Sequence, residues 1–324
     1  MSQDPGPRRP VVGVDLGGTW IRAGLAGDHG QLLRRIKVPT QSRGGPGAIQ
    51  AQITELVREL IAGDGRAPEE VLLVVGVPGP MNPASGVVEG APNLPGWDRV
   101  PLRDRLESEL GCRCLIEHDV DLAAVAEHRR GVGRGTQDFI YVTVSTGIGA
   151  GLILEGRLHR GSGTGTGEFG HIVVLPDGPR CGCGNRGCLE AVASGSAIAR
   201  EAGRASAEEV GEAARAGDAG ARRVLDRAAR HLGLALGGLI NLLAPEALAV
   251  GGGVVESETG FWEATQASIA EGCFAAIRAR CRVELTQLGG DQGLLGSLIW
   301  GQQAAAESSV RLDRATPPSL PGRR

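Results

Sequence analysis

Four side chains that bind soft metal ions, His171, Cys181, Cys183 and Cys188, fall within 18 positions of one another. Three thiolates and one imidazole complete a tetrahedral shell, the closed kind of zinc site that holds structure. Glycines at 182, 184 and 187 let the backbone turn tightly enough for the three sulfurs to face one ion. Such a clasp constrains its neighbours, because whatever lies beside His171 and Cys188 is placed with them. Two carboxylates lie there: Glu168 three residues before His171, and Glu190 two after Cys188. The plainer alternative is three reduced thiols in a glycine-rich loop beside an unrelated histidine; the cysteine arithmetic favours the metal.

The other four cysteines, Cys112, Cys114, Cys273 and Cys281, show no framework spacing, so a reducing cytoplasm fits the chain better than secretion. Residues 1–10 are polar and proline-rich, without the apolar core of a secretory leader. No apolar run approaches the ~20 residues needed to span a bilayer. With 324 residues, 41% of them apolar, the chain can build two domains and a sizeable core. A net charge of −3 gives no general surface for polyanions. Lys37 is the only lysine, so no Walker A loop exists and any bound phosphates must be met by backbone amides and magnesium.

Residues 11–15 read as an apolar strand ending in Asp15, and residues 20–25 as its return. The Leu16-Gly17-Gly18-Thr19 between them suits a hairpin. The same turn bares amides and the Thr19 hydroxyl to phosphate oxygens, with Asp15 beside them to hold a hydrated magnesium. A strand over 32–38, a helix over 47–62 and a buried strand over 71–77 follow. The last runs into Pro78-Gly79-Pro80, where Gly79 permits close approach of a ligand. Asn93, in an extended loop over 92–97, can bond a hydroxyl through both its carbonyl and its amide. A helix over 102–110 and a strand over 114–117 lead to Glu117-His118-Asp119-Val120-Asp121. There a helix over 122–129 begins, and either Asp119 or Asp121 can cap it.

At residue 139 the pattern starts again: an apolar strand over 139–144, the turn Ser145-Thr146-Gly147-Ile148-Gly149, and a return over 150–154. Two halves that open alike point to a duplicated α/β unit. Its two turns, one per half, can clasp the phosphates of one nucleotide. Beyond the cysteines, a helix over 191–202 ends at Gly203, and Ser206 and Glu209 have capping-box spacing. A long glycine-bearing helix over 225–243, expected to pack on a sheet, stops at Pro245. The strand over 247–250 leads to Gly251-Gly252-Gly253, a backbone open to a flat ring such as adenine. A helix over 261–278, a strand over 282–285 and a helix over 294–306 complete the order, and 307–324 is expected to be a disordered tail.

In order and separation, residues 15–19, 78–80, 93–97, 117–121, 145–149, 167–190 and 251–253 resemble the motifs of the ROK family, which holds sugar kinases and sugar-responsive repressors. The resemblance covers about residues 11–305, and 167–190 is its most specific part. It implies a two-domain actin/hexokinase-like (ribonuclease H-like) α/β fold with duplicated mixed sheets and a zinc-binding loop. The smaller domain would span 1–118, joined by the C-terminal helix at 292–306, and the larger 119–291, with the active site in the cleft between them. The implied reaction is transfer of the ATP γ-phosphate, with Mg2+, to a hexose, most often to the 6-hydroxyl of glucose. N-acylhexosamine kinases and fructokinases are near neighbours in the family.

Carried over residue by residue, the resemblance makes Asp119 the catalytic base, and Gly79, Asn93, His118, Glu168, His171 and Glu190 the sugar-binding set. Asp15, Gly17, Gly18, Thr19, Thr146, Gly147, Gly252 and Gly253 become the ATP and magnesium set. His171 then does two jobs, with one ring nitrogen on zinc and the other donating to a sugar hydroxyl. The implied partners are a hexose and ATP, in a homodimer or homotetramer, with no nucleic acid and no membrane. Two departures stand out. His118 replaces the asparagine usual before the catalytic aspartate, which bears on sugar preference. Trp20 follows the first turn where lysine or asparagine is common. A repressor would carry a helix-turn-helix, for which the ten residues before Val11 are too few. A nucleic-acid-binding zinc ribbon would need two paired Cys-x₂-Cys knuckles.

Overall fold

The computed structural model describes residues 9–27, 31–91, 94–161, 166–257 and 260–314. The chain forms two compact units, one of Met1–Asp119 with Leu294–Arg324 and one of Val120–Gly293.

In the first unit, β1 (Val11–Leu16) pairs antiparallel with β2 (Trp20–Ala26), which pairs antiparallel with β3 (Leu32–Pro39). Helix α1 (Gly45–Ala62) turns Ile49, Ile53, Val57 and Leu60 inward, one stripe at three- and four-residue steps. Strand β4 (Leu72–Val77) lies parallel to β1 and is buried throughout, which is why it reads as an unbroken apolar run. The strands β5 (Met81–Asn82), β6 (Val87–Gly90) and β7 (Asp98–Val100) make a small antiparallel sheet that the sequence did not announce. Each is too short to show a period of two. Helix α2 (Leu102–Leu110) buries Leu102, Leu106 and Leu110, and β8 (Arg113–His118) runs parallel to β4. The main sheet has the order β3-β2-β1-β4-β8.

Helix α3 (Asp119–Arg130) starts directly after β8. Asp119 and Asp121 therefore lie within its first turn and do not cap it from outside, as a start at 122 had implied. In the second unit, β9 (Phe139–Val144) pairs antiparallel with β10 (Ile148–Leu154), and β10 with β11 (Arg157–Leu158). Then come α4 (Leu189–Ala193), α5 (Gly195–Ala202), α6 (Ala207–Arg215) and α7 (Ala219–Leu243). The expected single helix over 191–202 is broken at Ser194, which is extended and accepts from Ala197 N at 3.2 Å. Ser206 caps α6 as its spacing predicts, while Glu209 reaches Ala205 N. Asp218 caps α7, which starts six residues before the expected 225. Strand β12 (Ala247–Gly251), α8 (Gly253–Ser257), α9 (Phe261–Gly272), α10 (Ala275–Arg278) and β13 (Arg282–Leu285) follow. The expected helix over 261–278 is interrupted at the extended Cys273.

The second sheet has the order β11-β10-β9-β12-β13, with β9, β12 and β13 parallel. It repeats the first strand for strand: an antiparallel hairpin, then two parallel neighbours added on one side. This is the duplication read from the two hairpins. One apolar core unites Val12, Val14, Leu73 and Val75 with α1 and α2; another unites Ile140, Val142, Leu248 and Val250 with α7. Helix α11 (Gln292–Arg314) runs beyond the expected end at residue 306, so residues 307–314 of the expected tail are helical backbone, and 315–324 lie outside the described residues. No helix among the described residues is long and apolar enough to cross a membrane.

Candidate active site and metal centre

In the second unit, Gly167-Glu168-Phe169-Gly170-His171 lies flat against β10. Ala150 donates its N–H to Gly167 O at 2.8 Å, and a Cβ on Gly170 would stand 2.2 Å from Ile148 O. Phe169 is buried beneath the segment, which leaves Glu168 exposed and His171 half-buried on either side of it. His171 Nδ1 lies 3.5 Å from Cys181 Sγ, and Cys183 Sγ lies 3.7 Å from Cys188 Sγ. All four ligand atoms fall within 4.8 Å of one another. A tetrahedral zinc ion with bonds of about 2.0–2.3 Å would hold such atoms about 3.5–3.8 Å apart, so the set fits the ion. Burial pushes the Cys188 thiol up to about 12, whereas the Asn185 backbone N–H holds the exposed Cys183 thiol below its ordinary range. A buried thiol that keeps its proton so firmly becomes a ligand only when a cation replaces that proton.

Gly187 is required by this loop: its φ is +68°, and a Cβ there would meet Leu175 O at 1.5 Å. Gly182 is not; it avoids the left-handed region, and a Cβ there would meet nothing within 4 Å. The sequence reading gave it a turning role it does not have.

Cys188 precedes α4, and Glu190 sits in that helix's first turn. Glu190 Oε2 accepts from Ile148 N at 2.9 Å. The metal loop, Glu168, His171, Glu190 and the Ser145–Ile148 turn thus share one corner of the second unit. His171 Nε2, the nitrogen turned away from the sulfurs, is 3.7 Å from Glu168 Oε2. The head of α5 braces the same turn: Gly195 N donates to Ser145 O at 2.8 Å and Ser196 N to Thr146 O at 3.4 Å. The side chains of Ser145 and Thr146 remain exposed beside Gly147. Sequence reading missed this brace, whose one local signal is the N-cap residue Ser194. Gly252 has a φ of +103°, and its N–H donates to the Glu256 carboxylate at 2.7 Å. A Cβ on Gly252 would be 2.4 Å from Val144 O, so the packing of β12 on β9 demands glycine there. Gly253 opens α8, and a Cβ on it would meet nothing within 4 Å.

In the first unit, Asp15 lies opposite Gly76, and Val77 opposite His118. Asp15, the Pro78-Gly79 turn, His118 and Asp119 therefore gather at the carboxyl ends of the parallel strands, where open α/β sheets bind ligands. His118 Nε2 is 3.6 Å from Asp119 Oδ1, and Gly79 has a φ of +84°. Asp15 Oδ2 is 3.2 Å from the Arg22 guanidinium, a pairing that the hairpin register Asp15↔Arg22 would have disclosed. Neither Gly17 nor Gly18 has a positive φ, so the turn is not the two-glycine type expected. Gly17 N donates to Trp20 O at 3.0 Å, while Thr40 donates its hydroxyl to Gly17 O and its N–H to Thr19 O, at 2.7 and 2.9 Å. Trp20 carries the Lys37 ammonium 4.5 Å from its ring centroid, a cation–π contact across β2 and β3 that gives the departure at Trp20 a structural role. Asn93 lies outside the described residues.

Comparison with known proteins bears on this constellation. The profile of the ROK family matches residues 11–304. The glucokinase of Thermotoga maritima is 32% identical over 310 residues, 90% of this chain and 96% of that protein. The N-acetylmannosamine kinase of Escherichia coli O1:K1 is 32% identical over 298 residues, 90% of this chain and 98% of that protein. The structure of a ROK family glucokinase from Streptomyces griseus in complex with glucose and AMPPNP matches with a TM-score of 0.76 at 32% identity, over 91% of this chain and 99% of that one.

Proposed function

Because this chain belongs to the ROK family and shares its actin/hexokinase-like α/β fold, we propose that it transfers the γ-phosphoryl group of ATP to a hexose, with the 6-hydroxyl of glucose as acceptor. The observation that carries the reading is the disposition of His171, whose Nδ1 faces the thiols while Nε2 faces outward beside Glu168. An ion held by His171, Cys181, Cys183 and Cys188 would fix the ring and its tautomer, leaving Nε2–H to donate to a sugar hydroxyl. Zinc in that site would be a scaffold for the pocket and would take no part in the transfer.

The carboxylates of Glu168 and Glu190 accept from further sugar hydroxyls, and Gly79, Asn93 and His118 complete the set. Asp119 takes the proton of the attacking hydroxyl; such general base catalysis supplies about 10²–10⁴-fold. Asp15 is the residue that would hold magnesium, which would supply neutralising charge for phosphoryl transfer. The Gly17 N–H is held within the turn by Trp20 O, so the amides of Gly18 and Thr19 receive phosphate oxygens there, as do Thr146 and Gly147 of the second turn, and Gly252-Gly253 receives the nucleoside. The enzyme acts in the cytoplasm as a homodimer or homotetramer.

A second reading, an N-acylhexosamine kinase, is favoured by the N-acetylmannosamine kinase relative and by His118, which changes the reach and shape of one sugar contact. A coupled ADP-release assay across glucose, mannose, fructose, N-acetylglucosamine and N-acetylmannosamine tests both. Glucose is expected to give the highest kcat/KM. A first rank for N-acetylmannosamine moves the assignment to the second reading, and no hexose-dependent ADP release overturns both.

A further inference from the structure

Glu127, near the end of α3, is wholly buried and takes no part in the chemistry above. Its Oε2 accepts from Val132 N at 3.0 Å. Its Oε1 accepts from Gln287 N and Leu288 N, both at 3.2 Å, and from the Thr286 hydroxyl. A carboxylate offers about four acceptor sites, so this one is filled. Glutamate is rarely buried so completely without specific partners. Here the partners come from α3's own exit and from a segment some 160 positions along the chain. The network goes one step further: Gln292, buried at the first position of α11, donates its side-chain amide to the Thr286 oxygen at 2.9 Å.

The placement of these residues in the connectivity matters. The chain leaves the first unit after Asp119 and returns to it after Gly293. Helix α3 begins at the outward crossing, and Thr286–Gln292 leads into the return crossing. Helix α3 already buries Leu122, Val125 and Ala126, so fastening it to the core does not require a carboxylate.

We propose that Glu127 is a positioning residue: through Thr286 and Gln292 it ties the outgoing helix to the returning segment, so that both crossings leave the second unit from one rigid block and Asp119, at the head of α3, stays in register for proton transfer. The activity arm of the test rests on the kinase reading; the exchange arm does not. Glu127→Gln puts a donor where only acceptors fit, and Thr286→Val removes the hydroxyl that joins Glu127 to Gln292. Both are made in the full chain. Hydrogen exchange at the amides of Gln287 and Leu288 is expected to quicken at least about tenfold in Glu127→Gln. In both variants kcat is expected to fall at least about tenfold, with KM for sugar and for ATP held within about threefold, the pattern of a displaced reacting group. Thr286→Ser, which keeps the hydroxyl, restores kcat. Ile240→Val, in the core of the same unit, sets the baseline for lost stability alone.

The proposal fails if kcat in both variants matches that baseline, or if KM rises while kcat holds. Unchanged protection at Gln287 and Leu288 in Glu127→Gln also overturns it. Should Glu127→Gln not fold, Thr286→Val and its serine rescue decide. Should the wild-type chain release no ADP with any hexose, the kinase reading falls while the exchange measurement still judges the tie.

Discussion

Gly170 and Gly182 sit in the same stretch of candidate metal ligands, and one substitution, glycine to alanine, is predicted to have opposite outcomes at the two. A Cβ on Gly170 falls 2.2 Å from Ile148 O, 3.1 Å from Ile148 C and 3.2 Å from Ile148 Cβ. Ordinary contact begins near 3.4 Å, so about 1.2 Å of relief is needed. The obstacle is the backbone of β10, pinned by β9 on one side and by β11 further along. The 169–171 segment must yield, and it carries the buried Phe169 on one side and the candidate ligand His171 on the other. Overpacking of this kind costs about 1–3 kcal/mol. For a unit of this size that lowers Tm by about 3–10 °C. A shift near 1 Å at His171 is several times the roughly 0.2 Å tolerance of a metal site, so zinc affinity is expected to drop about 10–100-fold. Competition against a chromogenic chelator measures the affinity, and thermal melting of the zinc-loaded protein measures the stability. Gly182→Ala, with open space and an ordinary backbone, is expected to stay within about 0.5 kcal/mol of wild type. Wild-type zinc affinity in Gly170→Ala, or an equal loss in Gly182→Ala, would refute the reasoning.

Asp119→Asn is predicted to lower kcat at least about 100-fold while glucose binding by calorimetry stays within about threefold; retained turnover removes Asp119 as the base. His118→Asn is predicted to reorder kcat/KM among hexoses, since an amide and an imidazole reach different hydroxyls; an unaltered ranking makes the departure irrelevant to selectivity. Burial lowers the pKa of His128 and of His231. Each binds fewer protons folded than unfolded, so its contribution to stability is complete above the unfolded value of about 6.5 and is lost as the pH falls from there through the lower folded value. The urea midpoint should therefore decline between about pH 7.5 and about pH 5.5, and a midpoint that holds or rises contradicts the assignment.

Much of the fold was legible because it is written in local pattern. The buried strands β1, β4, β9 and β12 are short apolar runs, and the glycine-rich turns after β1 and β9 disclosed the duplication before any pairing was known. The gathering of His171, Cys181, Cys183 and Cys188 was legible for the same reason, as a spacing of residue types that can bind a metal. The small sheet of β5–β7 was hidden because strands of two to four residues carry no period. The break at Ser194 had a weak local signal in the Ser194-Gly195-Ser196 run, and the interruption is decided by where α5 must meet the Ser145 turn.

The sequence alone determined which chemical groups are available and where the chain must bend, since over a few residues covalent geometry leaves little freedom. Only the tertiary structure decided which atoms meet. That His171 turns Nδ1 to sulfur, that Glu190 accepts from an amide 42 positions away and that Glu127 clasps one 160 positions away follow from register and core packing. Those depend on how distant elements bury one another's apolar faces, a condition that no short window of the chain contains.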